Sequence, residues 1–85
     1  MYYTYILISK DGKRTYTGSS SNLQRRLIEH NEGKDKSSRP WRPYELLYTE
    51  TFNTLSDARK QEKFLKSTNG RRNIKLLVEQ WKSKI

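Results

Sequence analysis

The chain has 85 residues, enough for one domain (1–85) and too few for a second, and at this size only roughly 60–65% of the unfolded surface is buried. Apolar residues make up 32%, but six Tyr, two Trp and two Phe supply large buried areas, so a folded domain is expected. Lys and Arg number 18 against 9 Asp and Glu, a net charge of +9 that suits a polyphosphate partner; no cysteine and one histidine exclude disulfides, thiolate metal sites and the usual zinc sites, so that any catalytic metal is held by oxygen, as Mg²⁺ or Mn²⁺.

Tyr2 to Ser9 is rich in aromatic and β-branched residues and is followed by Lys10-Asp11-Gly12-Lys13, whose Asp-Gly pair predicts a hairpin, with Arg14 to Thr17 as the returning strand. Gly18 and three serines then read as a tight turn able to cap a helix over Asn22 to His30, which Asn31-Glu32-Gly33 ends. On a helical wheel Leu23 and Leu27 mark the buried stripe, Arg26 and His30 lie beside it, and Arg25 and Glu29 point away. A basic loop from Lys34 to Arg42 carries Trp41. Tyr44 to Phe52 alternates poorly and is predicted as a strand buried on both faces. Asn53 or Thr54 caps a second helix, with Asp57 favourable in its first turn. Ser67-Thr68-Asn69-Gly70 breaks that helix, and Arg71 to Lys84 forms a last one anchored by Ile74, Leu77, Val78 and Trp81. The apolar runs at Tyr5 to Ile8 and Ile74 to Val78 are too short to span a bilayer, and Met1-Tyr2-Tyr3 lacks a basic n-region, so the cytoplasm is the expected compartment and no membrane partner is expected.

Several polar residues have both an ordinary and a chemical reading. Tyr5 and Tyr16 suit core packing in strands, and Arg26 and His30 suit a solvated helix edge; together they gather two phenols, a guanidinium and the only imidazole at one mouth, which suits phosphodiester chemistry. Glu62 falls within about 30° of the mean direction of Leu55, Ala58 and Leu65 on the second helix. It either swings to solvent or pairs with a neighbouring Lys, or it is a buried acid that needs Arg26 or a metal as its cation. Lys34, Lys36, Arg39 and Arg42, interleaved with Trp41, serve solubility or form a nucleic-acid surface on which phosphates pair with cations and a base stacks; Lys66, Arg71 and Arg72 extend that surface.

Tyr3-Thr4-Tyr5 and Tyr16-Thr17-Gly18, with Arg26, His30 and Glu62 following in order, resemble the GIY-YIG nuclease superfamily, whose name joins two tripeptides on adjacent strands. The likeness covers nearly the whole chain and is closest to small stand-alone members related to the nuclease domain found in excision repair. The first tripeptide keeps only its tyrosine, and Ser19 stands where the excision-repair branch has a lysine. The resemblance implies an α+β fold, a three-stranded mixed or antiparallel sheet flanked by helices in the order β-β-α-β-α-α, and one divalent metal. It also implies roles: Glu62 holds Mg²⁺ or Mn²⁺, Arg26 neutralises charge growing on phosphorus, Tyr5 takes a proton from the attacking water, and Tyr16 and His30 orient the array. A free tyrosine titrates near 10, so such a base needs cationic neighbours.

The expected function is therefore a metal-dependent endonuclease on nucleic acid, DNA favoured over RNA, recognising structure and serving repair or recombination, with room for a partner protein that supplies specificity. The alternative is a nucleic-acid-binding module whose cleavage is weak or lost. A third reading is a docking protein that uses only its basic surface.

Overall fold

A computed structural model of the chain describes residues 1–84. Strand β1 (Tyr2–Ser9) turns through Asp11-Gly12 into β2 (Thr15–Ser20); helix α1 (Leu23–Glu32), a single 3₁₀ turn (Arg39–Trp41), strand β3 (Tyr44–Phe52) and helices α2 (Leu55–Leu65) and α3 (Thr68–Ser83) follow. The sheet order is β2-β1-β3, and both pairings are antiparallel, so the expected β-β-α-β-α-α order holds and the sheet is antiparallel rather than mixed. No helix among the described residues is long and apolar enough to cross a membrane.

The hairpin turn forms where its chemistry dictates. Gly12 takes φ 75°, a conformation that penalises a side chain, and the Asp11 carboxylate accepts from Ser9 Oγ at 2.7 Å and from the Lys13 amide at 2.9 Å. The returning strand, expected to stop at Thr17, continues to Ser20, because β1 is long enough to pair Tyr3 with Ser20, Thr4 with Ser19 and Tyr5 with Gly18. Gly18 and its serines are thus ladder residues. The cap of α1 falls to Asn22, whose side chain accepts from the Arg25 amide at 3.0 Å, and Gly33 closes the helix with φ 79°.

Alternation along β1 separates two layers. Tyr5 and Leu7, with Tyr44, form the core beneath α1 and the basic loop, where Tyr16, Leu23, Leu27 and Trp41 pack against them. On the other face Thr4 Oγ1 donates to the Ala58 carbonyl at 2.6 Å, and the methyl-sized, fully buried Ala58 lets α2 lie that close to the sheet. Strand β3 corrects the expectation of burial on both faces: it is an edge strand, and only Tyr44 on it is buried. Its poor alternation comes from a bulge, since Ile6 faces Tyr48 and Leu7 faces Leu46, which leaves Leu47 as the extra residue.

The break between the last helices is a single connection. Lys66 ends α2, and Ser67 caps α3 by accepting from the Gly70 amide, so Thr68-Asn69-Gly70 lies inside α3. Gly70 serves close packing, because a Cβ there would collide with the Phe64 carbonyl and the Leu65 backbone. Trp81 Nε1 donates to Glu45 and pins the far end of α3 to the start of β3.

Candidate functional site at the edge of strand β2

Four of the five predicted catalytic residues meet on the α1 side of the sheet. Tyr5 runs along the sheet beneath α1, and its phenol lies directly over Gly18: a Cβ added at Gly18 would stand 2.5 Å from the Tyr5 hydroxyl. Gly18 is therefore required here by space. From α1, Arg26 Nε donates to the Tyr5 oxygen at 3.4 Å, Nη1 pairs with Glu29 at 2.9 Å, and Nη2 approaches His30 Nε2 at 3.4 Å. These three contacts use three of five N–H donors, so two remain for an incoming oxyanion. Hydrogen bonds to Tyr5 and Glu29 outweigh partial burial and keep the guanidinium firmly charged.

His30 is fully buried, not a solvated helix edge. Its Nδ1 lies 2.9 Å from Ser38 Oγ, its ring packs 4.3 Å from that of Tyr16, and Tyr5 and Tyr44 meet it edge-on. Since the Arg26 nitrogen can only donate, Nε2 accepts, and the Nδ1 proton goes to Ser38: the imidazole is neutral, in one tautomer. Burial first, and then Arg26, lower its pKa, against the opposing charges of Asp35 and Glu29. His30 thus orients Arg26 as an acceptor. Tyr16 donates to Asp35 Oδ2 at 3.3 Å, and burial followed by the Asp35 charge raises its pKa, so its phenol stays protonated. Of the two phenols, only the Tyr5 oxygen faces the guanidinium.

Glu62 stands apart from this group. Ser19 is the neighbour of Gly18 on β2 and points to the opposite face, where Ser19 Oγ donates to Glu62 Oε1 at 2.6 Å and Lys66 Nζ pairs with Oε2 at 2.7 Å. The expectation that Arg26 shares a groove with Glu62 is corrected: the carboxylate lies across the edge strand from Tyr5, and a lysine one turn on supplies its cation. Nor is it fully buried, its side chain being 23% exposed. Burial pushes its pKa up, but the bonds from Lys66 and Ser19 and the charges of Lys66 and Arg59 win, so it is ionised at neutral pH. The two clusters meet at Gly18-Ser19, successive residues of an edge that pairs with no further strand.

The predicted nucleic-acid residues divide between two grooves. One, of about 330 Å³, is lined by Arg26, Glu29, His30, Lys34, Asp35 and Lys36. The other, of about 510 Å³, lies between β2 and the α2–α3 corner and includes Lys66 and Arg71. Arg72 is exposed nearby in sequence on α3. Arg39 and Arg42 instead wrap the end of α1, with Arg39 Nε donating to the Gly33 carbonyl at 2.7 Å. Trp41 corrects the expectation of an open stacking platform: it packs on the core, and the Arg14 guanidinium lies 4.3 Å from its ring.

Residues beyond the sequence reading complete the α1 cluster. Glu29, expected to point away, holds Arg26 three residues back, a spacing the wheel allows. Asp35 is fixed by Ser37, through its hydroxyl and its amide, and those bonds lower its pKa; an Asp two residues before a Ser is a legible turn signal, but its meeting with Tyr16 is tertiary. Ser38 carried no signal.

The profile of the GIY-YIG catalytic domain matches residues 1–75. The chain belongs to the GIY-YIG family. Among its relatives are a UPF0213 protein of Staphylococcus saprophyticus, 38% identical over 92% of this chain and 95% of that protein, and one of Natronomonas pharaonis, 34% identical over 93% of each. The solution NMR structure of a UPF0213 protein from Bacillus halodurans is also similar, with 33% identity, a TM-score of 0.51, and coverage of 91% of this chain and 85% of that one. A GIY-YIG domain implies a nuclease-type function and a nucleic-acid ligand.

The divalent metal implied by this family finds one fitting ligand. Among the described residues no group of three or more His, Asp or Glu converges, but Mg²⁺ is commonly held by one or two carboxylates, waters and substrate phosphate oxygens. Glu62, ionised, at an open edge, and paired to an exposed lysine that costs little to displace, meets that need.

Proposed function

We propose that this GIY-YIG domain is a metal-dependent endonuclease that hydrolyses phosphodiester bonds in DNA and reads DNA structure. The observation that carries this reading is Arg26: a charged side chain, oriented by a neutral His30 and by Glu29, with its Nε–H on the Tyr5 oxygen and two donors left beside a basic groove. A phosphate drawn by Lys34 and Lys36 would meet that fork, which can hold two oxygens and stabilise charge as it grows on phosphorus. Tyr5 takes the proton of the attacking water, and the adjacent guanidinium favours negative charge on its oxygen. Tyr16, Asp35 and Ser38 hold the imidazole, and through it Arg26. A metal on Glu62 would polarise the phosphodiester and stabilise the leaving oxygen. Since Tyr5 and Glu62 rise on opposite sides of β2, the scissile group must lie over the strand edge at Gly18-Ser19. The short chain carries no separate sequence-reading element, which favours structure over sequence as the feature recognised and leaves repair or recombination as the natural setting.

One observation favours a second reading, a binding module in which cleavage is weak: Glu62 is already satisfied by Lys66 and Ser19. Purified protein incubated with Mg²⁺ or Mn²⁺ and nicked, flapped, branched and linear DNA, beside single-stranded RNA, decides between them. Divalent-dependent cleavage of a branched or flapped DNA is expected. Binding without cleavage of any substrate would leave the module reading in its place.

A further inference from the structure

The groove of about 510 Å³ on the far side of β2 lies outside the Tyr5–Arg26–His30 cluster, yet it adjoins it. Its walls include Thr15, Tyr16 and Thr17 along the unpaired strand edge, and Lys66 and Arg71 from the α2–α3 corner. Both charged residues among the lining are cations. Arg71 is exposed and has no side-chain hydrogen bond or ion pair among the described residues, so its five donors are available. Lys66 has one partner, Glu62, through an exposed pair four residues apart on α2, a kind worth only about 0.3–0.5 kcal/mol. Its ammonium can leave that carboxylate at small cost.

Tyr16 belongs to both sides. It walls this groove, while its ring stacks on His30 and its hydroxyl bonds Asp35, both of which line the smaller groove that holds Arg26. A path from one groove to the other therefore crosses a single edge strand at Tyr16, with threonines beside it and cations at each end.

We infer that the groove bounded by β2, Lys66 and Arg71 binds a backbone phosphate of the same nucleic-acid strand, flanking the one at Arg26. The inference rests on the proposed nucleic-acid substrate and adds where the strand runs: over the β2 edge, from the α1 side to the α2–α3 corner. Phosphate contacts of this kind position a strand without reading its sequence, so the site accepts any base order. A phosphate there also draws Lys66 off Glu62, which frees a carboxylate oxygen at the edge where the scissile group lies.

The test measures binding of a fluorescein-labelled single-stranded DNA oligonucleotide by anisotropy, in EDTA, across a salt series. Arg71→Glu and Lys66→Gln are compared with wild type and with Lys13→Glu, which alters charge at the hairpin turn. Loss of one single-strand phosphate contact should flatten the slope of log affinity against log salt by about 0.7 in each groove variant, with several-fold weaker binding at low salt, while Lys13→Glu keeps the wild-type slope. Arg71 is exposed in the first turn of α3, where an acid favours the helix, and Arg71→Gln serves as a second variant of neutral charge. Wild-type slopes in Arg71→Glu, Arg71→Gln and Lys66→Gln, alongside clear wild-type binding, would overturn the groove assignment and leave the nucleic-acid reading intact. No binding by the wild-type protein at low salt would overturn both.

Discussion

The two faces of strand β2 hold their polar groups by different means. On the α1 face, His30 is fully buried and fixed by Ser38, Tyr16, Tyr44 and Arg26, so the guanidinium is oriented by packing. On the α2 face, Glu62 is held by a serine hydroxyl and by an exposed lysine, contacts that a competing cation can replace. The contrast separates function from stability. The α1 cluster is part of the core, and damage to it unfolds the protein; the Glu62 pair is a surface arrangement whose loss leaves the fold standing.

The largest effect expected on the packed side comes from His30→Ala, which opens a cavity under three aromatic rings and strands Ser38 and Arg26. It should destabilise the domain by about 2–4 kcal/mol in urea unfolding. Gly18→Ala follows, since the new methyl must displace the Tyr5 ring, at a cost of about 1–3 kcal/mol. The same melts should register a loss of order around Tyr5. If Gly18→Ala matches wild type in stability, the close approach of Tyr5 to β2 is wrong.

His30 also makes the comparison sensitive to pH. Its folded pKa is depressed, by burial and then Arg26, so the unfolded chain binds the proton more readily. Its contribution to stability is fully present above the unfolded imidazole value near 6.5 and is lost as the pH falls below it. Thermal melts from pH 8 to 5 should show the wild type losing stability in that window, and His30→Gln a flatter profile. The groups facing the ring are Arg26, Glu29, Asp35, Tyr5, Tyr16 and Tyr44, and only Glu29 and Asp35 oppose the shift or titrate lower down.

The smallest expected effect is on the open side. Lys66→Met removes one exposed ion pair and should change stability by no more than about 0.5 kcal/mol. A cost comparable with that of His30→Ala would erase the distinction drawn between the faces.

What was legible in the sequence follows the same division between local and tertiary causes. Asp11-Gly12, Gly33 and Thr54 act through their own backbone, and the hairpin, the end of α1 and the cap of α2 lie where those residues put them. The five ordered positions of the GIY-YIG pattern identified the family, and four of them meet. The bulge at Leu47 was read as two-sided burial because a bulge and a buried strand both spoil alternation. Glu62 was assigned the wrong cation because a wheel gives the direction of a side chain but not which strand edge it reaches. Asp35 and Ser38 come from a loop whose approach to Tyr16 and His30 depends on the packed core, so no local pattern marked Ser38 and only a turn signal marked Asp35.

The central claim is that groups from both faces of β2 act on one phosphodiester at Gly18-Ser19. A double-mutant cycle in single-turnover cleavage of a branched DNA, with Mn²⁺ or Mg²⁺ present, tests it most directly. Tyr5→Phe and Glu62→Gln should each slow cleavage by about a hundredfold or more with DNA binding largely kept, and the double variant should be little slower than the worse single one, because each group is useless without the other. Cleavage at the wild-type rate by either single variant, or strictly additive losses, would contradict a shared site.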